Sequence, residues 1–204
     1  MQTVMLYGHP DSGHACKVAF ALALSGVQHR TCLVDIWAPP ATRPAAFLAA
    51  NPFAEVPVLV IDDEPFVQSG SILIEIATRT GTLGGETPAT LARAREILFW
   101  EANRIGMCLP QLIESRRSGG QPFAPGAVDW LRMRFDVDRA RFDQWIGDGP
   151  FLSGQAPGIA DCAVFGYAQW IDKAGVEPTA RMSGWLDRMR ALPEYRAPQD
   201  WFAA

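Results

Sequence analysis

Between Asn51 and Ile76 the chain compresses a strand, a turn, a second strand and a helix start into 26 residues, and this stretch constrains the fold more than any other. Val58 to Ile61 is an unbroken apolar, β-branched run, the pattern of a buried strand. Pro57 stands at its first position, where a missing N–H is tolerated. Asp62-Asp63-Glu64-Pro65 is a turn cluster, and Phe66-Val67 returns as a second strand. Gln68 and Ser69 then precede Ile72, Leu73, Ile76 and Ala77 at helical spacing, which makes Ser69 the expected N-cap.

This layout creates a place for a ligand. A strand that opens on proline leaves the backbone of Val56 unpaired within its own sheet. A helix N-terminus offers free N–H groups and the positive end of a dipole, which suits a carboxylate. An extended, peptide-like anion can pair with Val56 and set its carboxylate on Ser69. The plainer reading of the same residues is a hairpin followed by a capped helix.

The flanking sequence supplies the rest of a small α/β domain. Thr3 to Tyr7 is an apolar strand, Gly8 to Gly13 a turn, and from His14 the pattern is helical to about Ser25-Gly26. Thr31 to Ile36 is a second strand, completing a βαβ unit. A Pro-rich connection from Trp37 to Pro44 leads to a short helix near Ala45 to Ala50. The order is β-α-β-α-β-β-α, that of a thioredoxin-like fold, over residues 1–80. Residues 81–87 are rich in glycine and polar residues and read as a linker.

From 88 to 204 only helix signals follow, so an all-helical second domain is expected. One helix is read from about Pro88 to Arg116, with a break at Ser118-Gly119-Gly120-Gln121-Pro122. A second runs from about Gly126 to Ile146. Its Arg132/Asp136, Arg134/Asp138 and Arg139/Asp143 pairs at i,i+4 spacing read as a solvated face. Gly158-Ile159-Ala160-Asp161 opens a further apolar helix, and Met182 to Leu192 another.

Composition excludes several classes. Of 204 residues 49% are hydrophobic and 20% charged, an ordinary globular balance. A net charge of −4 speaks against a nucleic-acid partner. Cys16, Cys32, Cys108 and Cys162 form neither a CxxC pair nor a metal-ligand spacing, so no metal is expected and reduced, cytoplasmic thiols are the simplest reading. No apolar run approaches the ~20 residues of a membrane span, and the N-terminus reads as a strand rather than a leader.

The combination of Val56-Pro57-Val58-Leu59 with Gln68-Ser69 resembles the glutathione-binding half of the soluble glutathione transferases. Tyr7-Gly8-His9-Pro10-Asp11-Ser12 resembles the serine-type, bacterial-like members, and Gly158-Ile159-Ala160-Asp161 the N-capping box of their second domain, where Ser or Thr is usual and this chain has glycine. The likeness extends over nearly the whole chain. It implies a cis Val56–Pro57 bond and pairing of the Val56 backbone with the cysteinyl unit of glutathione. It also implies that Gln68 and Ser69 hold the γ-glutamyl end and that Arg43 faces the glycine carboxylate, with Glu55 beside Val56 in the same glutathione site, at a position where family members vary. An ordinary surface arginine is the alternative at Arg43.

By the same resemblance Ser12 is the catalytic residue, its hydroxyl contacting the glutathione sulfur. A hydroxyl that donates to a thiolate favours the charged form, as does a helix N-terminus. A simple N-cap is the alternative, and Tyr7 is the competing activator, since tyrosine-type members use a tyrosine at the end of the first strand. Cys16 reads as a buried small hydrophobe. A pocket for a hydrophobic electrophile is expected between the domains, lined by Tyr7, Pro10, His14, Asn103 and Met107, near Cys108. The implied function is transfer of glutathione to that electrophile, in a detoxifying homodimer. The rivals are a glutathione-dependent disulfide reductase or peroxidase and a non-enzymatic interaction protein of the same fold.

Overall fold

The computed structural model describes residues 3–117 and 122–203, so Ser118 to Gln121 of the expected helix break lie outside it. The first half runs β1 (Val4–Gly8), α1 (Gly13–Leu24), β2 (Arg30–Leu33), α2 (Ala45–Ala50), β3 (Val58–Ile61), β4 (Glu64–Val67) and α3 (Ser69–Thr80). The sheet order is β2-β1-β3-β4, with β1 parallel to β2 and antiparallel to β3, and β3 antiparallel to β4. This is a thioredoxin-like domain. β2 stops at Leu33, short of the expected Ile36, because the Asp35 carboxylate accepts from Trp37 N and Ala38 N (2.9 and 3.2 Å) and turns the chain.

Strand alternation divides the apolar residues between two layers. Leu6, Leu59 and Ile61 face α1 and α3, where Val18, Leu22, Ile72 and Leu73 are buried. Val58 faces the other way, onto Phe47 of α2, with Val34 and Ala54.

The second half contains α4 (Pro88–Asn103), α5 (Ile105–Arg116), α6 (Ala127–Ile146), α7 (Ile159–Ala168), α8 (Ile171–Ala174), α9 (Ala180–Arg190) and α10 (Pro198–Trp201). No described helix is long and apolar enough to cross a membrane. The single helix expected from Pro88 to Arg116 is two helices. Arg104 leaves the helical region (φ −128°, ψ −97°), and Gly106 then lies so close to Glu101 that a Cβ there would stand 2.4 Å from Oε1. That carboxylate is buried and takes the Lys17 ammonium of α1 at 3.1 Å, both side chains being 3% exposed. The chain bends at Arg104 around an ion pair that ties the two halves together.

α1 is buried almost all round because α7 covers the side that the sheet and α3 leave free. The crossing is backbone on backbone. A Cβ at Gly13 would lie 2.6 Å from Gly166 O, and one at Gly166 would lie 2.5 Å from Gly13 O.

α7 opens on Gly158. The glycine where a hydroxyl residue was expected has a steric cause, because a Cβ there would meet Ser153 Oγ at 2.4 Å and Leu83 O at 2.8 Å. The missing side-chain cap is outweighed by Asp161. Its fully buried carboxylate accepts from Gly158 N (3.0 Å), Leu152 N (2.8 Å), Ser153 N (3.1 Å) and Trp185 Nε1 (2.9 Å). Burial pushes its pKa up, and these four donors oppose that shift.

The charged face expected on α6 is only partly solvated. Arg132 and Arg139 pair at i,i+3 with Asp129 and Asp136 (3.7 and 2.9 Å), and Asp143 accepts from the Thr179 hydroxyl (2.5 Å). Asp138 is wholly buried, and neither of its carboxylate oxygens has a partner among the described residues. Burial raises its pKa, against the pull of Arg104, Arg134 and Arg141. A carboxyl raised in the folded state costs stability above its ordinary pKa, and the full cost is present once pH exceeds the folded value. Asp138→Asn is therefore expected to raise stability at pH 7 by about 1 kcal/mol, with the gain shrinking as pH falls toward the ordinary carboxylate range. Urea midpoints at several pH values check this; a pH-independent effect would contradict it.

Candidate functional site

Three cavities surround the N-terminal ends of α1 and α3. The first, about 430 Å³, is lined by Arg43, Glu55, Val56, Pro57, Gln68 and Ser69, together with His14 and Ile36. The Val56–Pro57 bond is cis. The β-ladder ends at Val58, which leaves Val56 beyond the last paired residue at the cavity wall. Asn51 sets this loop, with Nδ2 donating to Glu55 O (2.8 Å) and Oδ1 accepting from Phe53 N (3.2 Å).

The cap of α3 differs by one residue from the expectation. Gln68 is the N-cap, with φ +66° and ψ 111°, and Ser69 is the first helical residue. A non-glycine residue at positive φ costs on the order of 1–3 kcal/mol and marks functional sites. The conformation leaves the Ser69 N–H at the open end of α3, where an anion is favoured. Ser69 Oγ is 3.5 Å from His14 Nδ1. Burial, then the nearby Lys17 charge, lowers the His14 pKa to about 3, so the ring is neutral at pH 7. Its ring meets Tyr167 edge-on at 4.9 Å.

Arg43 donates to the carbonyl oxygens of Ile36 (3.0 Å), Ala38 (3.4 Å) and Ala54. It thereby ties the connection before α2 to the loop before β3, and its Nε is buried without a partner among the described residues.

Ser12 caps α1. Its Oγ accepts from Ala15 N at 3.2 Å, and the side chain is buried. That bond uses a lone pair and leaves the hydroxyl hydrogen free to donate. Ser12 lines a second cavity of about 630 Å³, shared with Asp11, Trp37, Gln111, Arg116, Arg117, Tyr167 and Trp170. Ile36 also lines this cavity and joins it to the first. Cys16, one turn on, is no nucleophile: burial, then Asp11, pushes its thiol up to about 12, and Sγ donates to Pro10 O. A third cavity, about 820 Å³, shares His14, Gln68 and Ser69 with the first and Tyr167 with the second.

The structure brings only some of the expected second-substrate residues together. Met107 and His14 line the third cavity, but His14 stands equally at the Ser69 end. Asn103 is exposed, and neither it nor Pro10 is among the residues lining the three cavities. Tyr7 turns into the small core beneath the sheet, its ring 5.7 Å from that of Phe47. The reason is strand parity: Leu6 and Gly8 face α1, so Tyr7 must face α2. Sequence reasoning missed Trp37, Arg116, Tyr167 and Trp170, which lie far apart in the chain and meet only through packing of α5 and α7 beside α1.

A thioredoxin-like domain that brings an unpaired backbone edge, an open helix end and a serine hydroxyl to adjoining cavities offers an extended, anionic, peptide-like ligand both backbone partners and a carboxylate site. Residues 11–79 match the family model for the glutathione S-transferase N-terminal domain. The chain is 31% identical over 163 residues to maleylacetoacetate isomerase of Rhizobium meliloti, covering 77% of this chain and 76% of that protein. It is 26% identical over 206 residues to the disulfide-bond oxidoreductase YfcG of Escherichia coli, covering 92% and 90% of the two. A solved glutathione S-transferase from Xanthobacter autotrophicus superposes with TM-score 0.77 at 26% identity, covering 97% of this chain and 98% of that one. The chain belongs to the glutathione S-transferase family.

Proposed function

We propose that this protein activates the thiol of glutathione for attack on an electrophile with a hydrophobic body. The observation that carries this is the junction at Ile36, where the cavity lined by Val56, Gln68 and Ser69 meets the one lined by Ser12. Glutathione laid along the first cavity pairs its cysteinyl unit with the Val56 backbone. Its γ-glutamyl carboxylate meets the Ser69 N–H and hydroxyl, beside Gln68 and Glu55. Arg43 Nε, buried without a partner among the described residues, is the donor this reading assigns to the glycine carboxylate. The thiol then faces the Ser12 hydroxyl, which donates a hydrogen bond to the thiolate and lowers its pKa. The thiol proton goes to solvent, the sulfur bonds to the electrophilic carbon, and the leaving group departs. Proximity in the adjoining cavities supplies the rest of the acceleration.

Residues 1–80 and 88–204 act in this reading as glutathione-binding and helical domains joined at 81–87. A homodimer in the cytoplasm, serving detoxification, is the accompanying assignment.

Calorimetry with glutathione, followed by turnover of 1-chloro-2,4-dinitrobenzene, tests the reading; absence of both binding and turnover would overturn it. Ser69→Ala is expected to weaken glutathione binding by about tenfold or more, from loss of one charge-assisted hydrogen bond of roughly 1.5–3 kcal/mol. Unchanged affinity in the same titration would remove Ser69 from the site.

A second reading, glutathione-dependent disulfide reduction, is favoured by the room for a further peptide beside Ser12. The likeness to YfcG also points this way. Two glutathiones would supply the electrons, leaving as glutathione disulfide, since Cys16 is inert. Turnover of a glutathione mixed disulfide well above that of the aryl chloride would select it.

A further inference from the structure

We infer, on the basis of the transferase reading, that the electrophile carries an anionic group on a planar, conjugated body. The cavity beside Ser12 is walled by two indoles, Trp37 and Trp170, which suit a flat ring. Each indole has a cation over its face: Arg117 lies 4.7 Å from the Trp37 ring and Lys173 lies 5.2 Å from the Trp170 ring. Arg116 is the third cation of the wall.

These cations are not equivalent. Glu114 takes Arg117 in a two-pronged pair (2.7 and 2.6 Å), which neutralises it and fixes it over Trp37. Asp11, beside Ser12, accepts from Trp37 Nε1 at 3.3 Å, a neutral donor, so the negative side of the cavity lies at Asp11 and a bound anion is directed to Arg116 and Lys173. Arg116 and Lys173 have no carboxylate within ion-pair distance among the described residues. Their placement is built by the fold. Lys173 sits in α8, and the Arg116 guanidinium at the end of α5 packs on Gly175, where a Cβ would stand 2.6 Å from Nη1. The one cavity therefore holds both the Ser12 hydroxyl, where this reading sets the reacting carbon, and two cations without a carboxylate partner among the described residues. A carboxylate or sulfonate on the ring answers them, with guanidinium the better planar partner.

The test compares 4-chloro-3,5-dinitrobenzoate with its methyl ester, which share the reacting carbon and the chloride leaving group, each rate being divided by that of the uncatalysed reaction with glutathione because the ester group activates the ring more than the carboxylate does. With the intact protein and saturating glutathione, the acid is expected to show about tenfold higher kcat/KM than the ester at low salt. That preference should shrink with added salt, as exposed charges are screened within about 10 Å at 0.1 M. The double variant Arg116→Gln/Lys173→Gln is expected to bring the acid to within about twofold of the ester, the acid losing far more of its rate than the ester does. Calorimetry with the unreactive pair 3,5-dinitrobenzoate and methyl 3,5-dinitrobenzoate reads binding without turnover. An ester used and bound as well as the acid, or a double variant that lowers both alike, overturns the inference. Should neither chloride turn over while 3,5-dinitrobenzoate still binds through Arg116 and Lys173, the transferase reading fails and the anion site stands.

Discussion

Ser12→Ala is expected to slow glutathione conjugation at pH 7 by about 10–100-fold while the glutathione KM stays near its wild-type value. One hydrogen bond to a charged group is worth about 1.5–3 kcal/mol, or roughly one to two pKa units of the bound thiol. The affinity for the two carboxylate ends rests on other residues, Ser69 first among them. Higher pH should recover much of the lost rate, because solvent then removes the proton that the hydroxyl helped to displace. The hydroxyl oxygen also caps α1 through Ala15 N. Losing that cap costs about 0.5–2 kcal/mol of stability, but lost stability does not move a pH–rate profile. Tyr7→Phe is the control, with no shift expected, since its ring lies against Phe47 on the far side of the sheet. A profile that moves in Tyr7→Phe and not in Ser12→Ala would transfer the role to the tyrosine.

Asp161→Ala is expected to cost about 3–5 kcal/mol, well beyond the roughly 0.5–2 kcal/mol of a lone cap. The carboxylate is the common acceptor of three backbone N–H groups and the Trp185 indole, drawn from the Leu152-Ser153 turn, the start of α7 and α9. Removing it leaves those donors buried and unpaired, at about 1–3 kcal/mol for each that water cannot reach. Asp161→Asn keeps one acceptor oxygen and should lose less. Urea unfolding measures the difference, and the Trp185 indole N–H resonance should shift in both variants. A loss below about 1 kcal/mol in Asp161→Ala would reduce the residue to an ordinary cap.

The thioredoxin-like order was legible because its signals are local. The run Val58 to Ile61, the turn at Asp62-Asp63 and the apolar spacing after Ser69 each lie within one element. Gln68 escaped as the N-cap because positive φ in a non-glycine residue leaves no mark in the sequence. The bend at Arg104 was hidden for a different reason: no proline stands there, and Gly106 matters only once Glu101 turns inward to Lys17. Asp138 looked like half of an exposed pair because i,i+4 spacing says nothing about which face another helix covers. The cavity proposed for glutathione was readable since one stretch, residues 55–69, supplies most of its lining. The cavity proposed for the electrophile was not, because its indoles, cations and Tyr167 converge from four separate elements.

The glycine contact between α1 and α7 has a consequence for how such a protein can change over evolutionary time. Gly13 follows Ser12 directly, and it touches Gly166 with no side chain between them. A methyl group at either position would drive the two helices apart and carry the serine hydroxyl with them. Mutation can thus repaint the rim at Trp37, Arg116, Trp170 and Lys173, and so the range of molecules accepted, without passing through this crossing. The crossing acts as a surveyor's benchmark: the serine hydroxyl keeps its coordinates while the neighbouring landscape drifts.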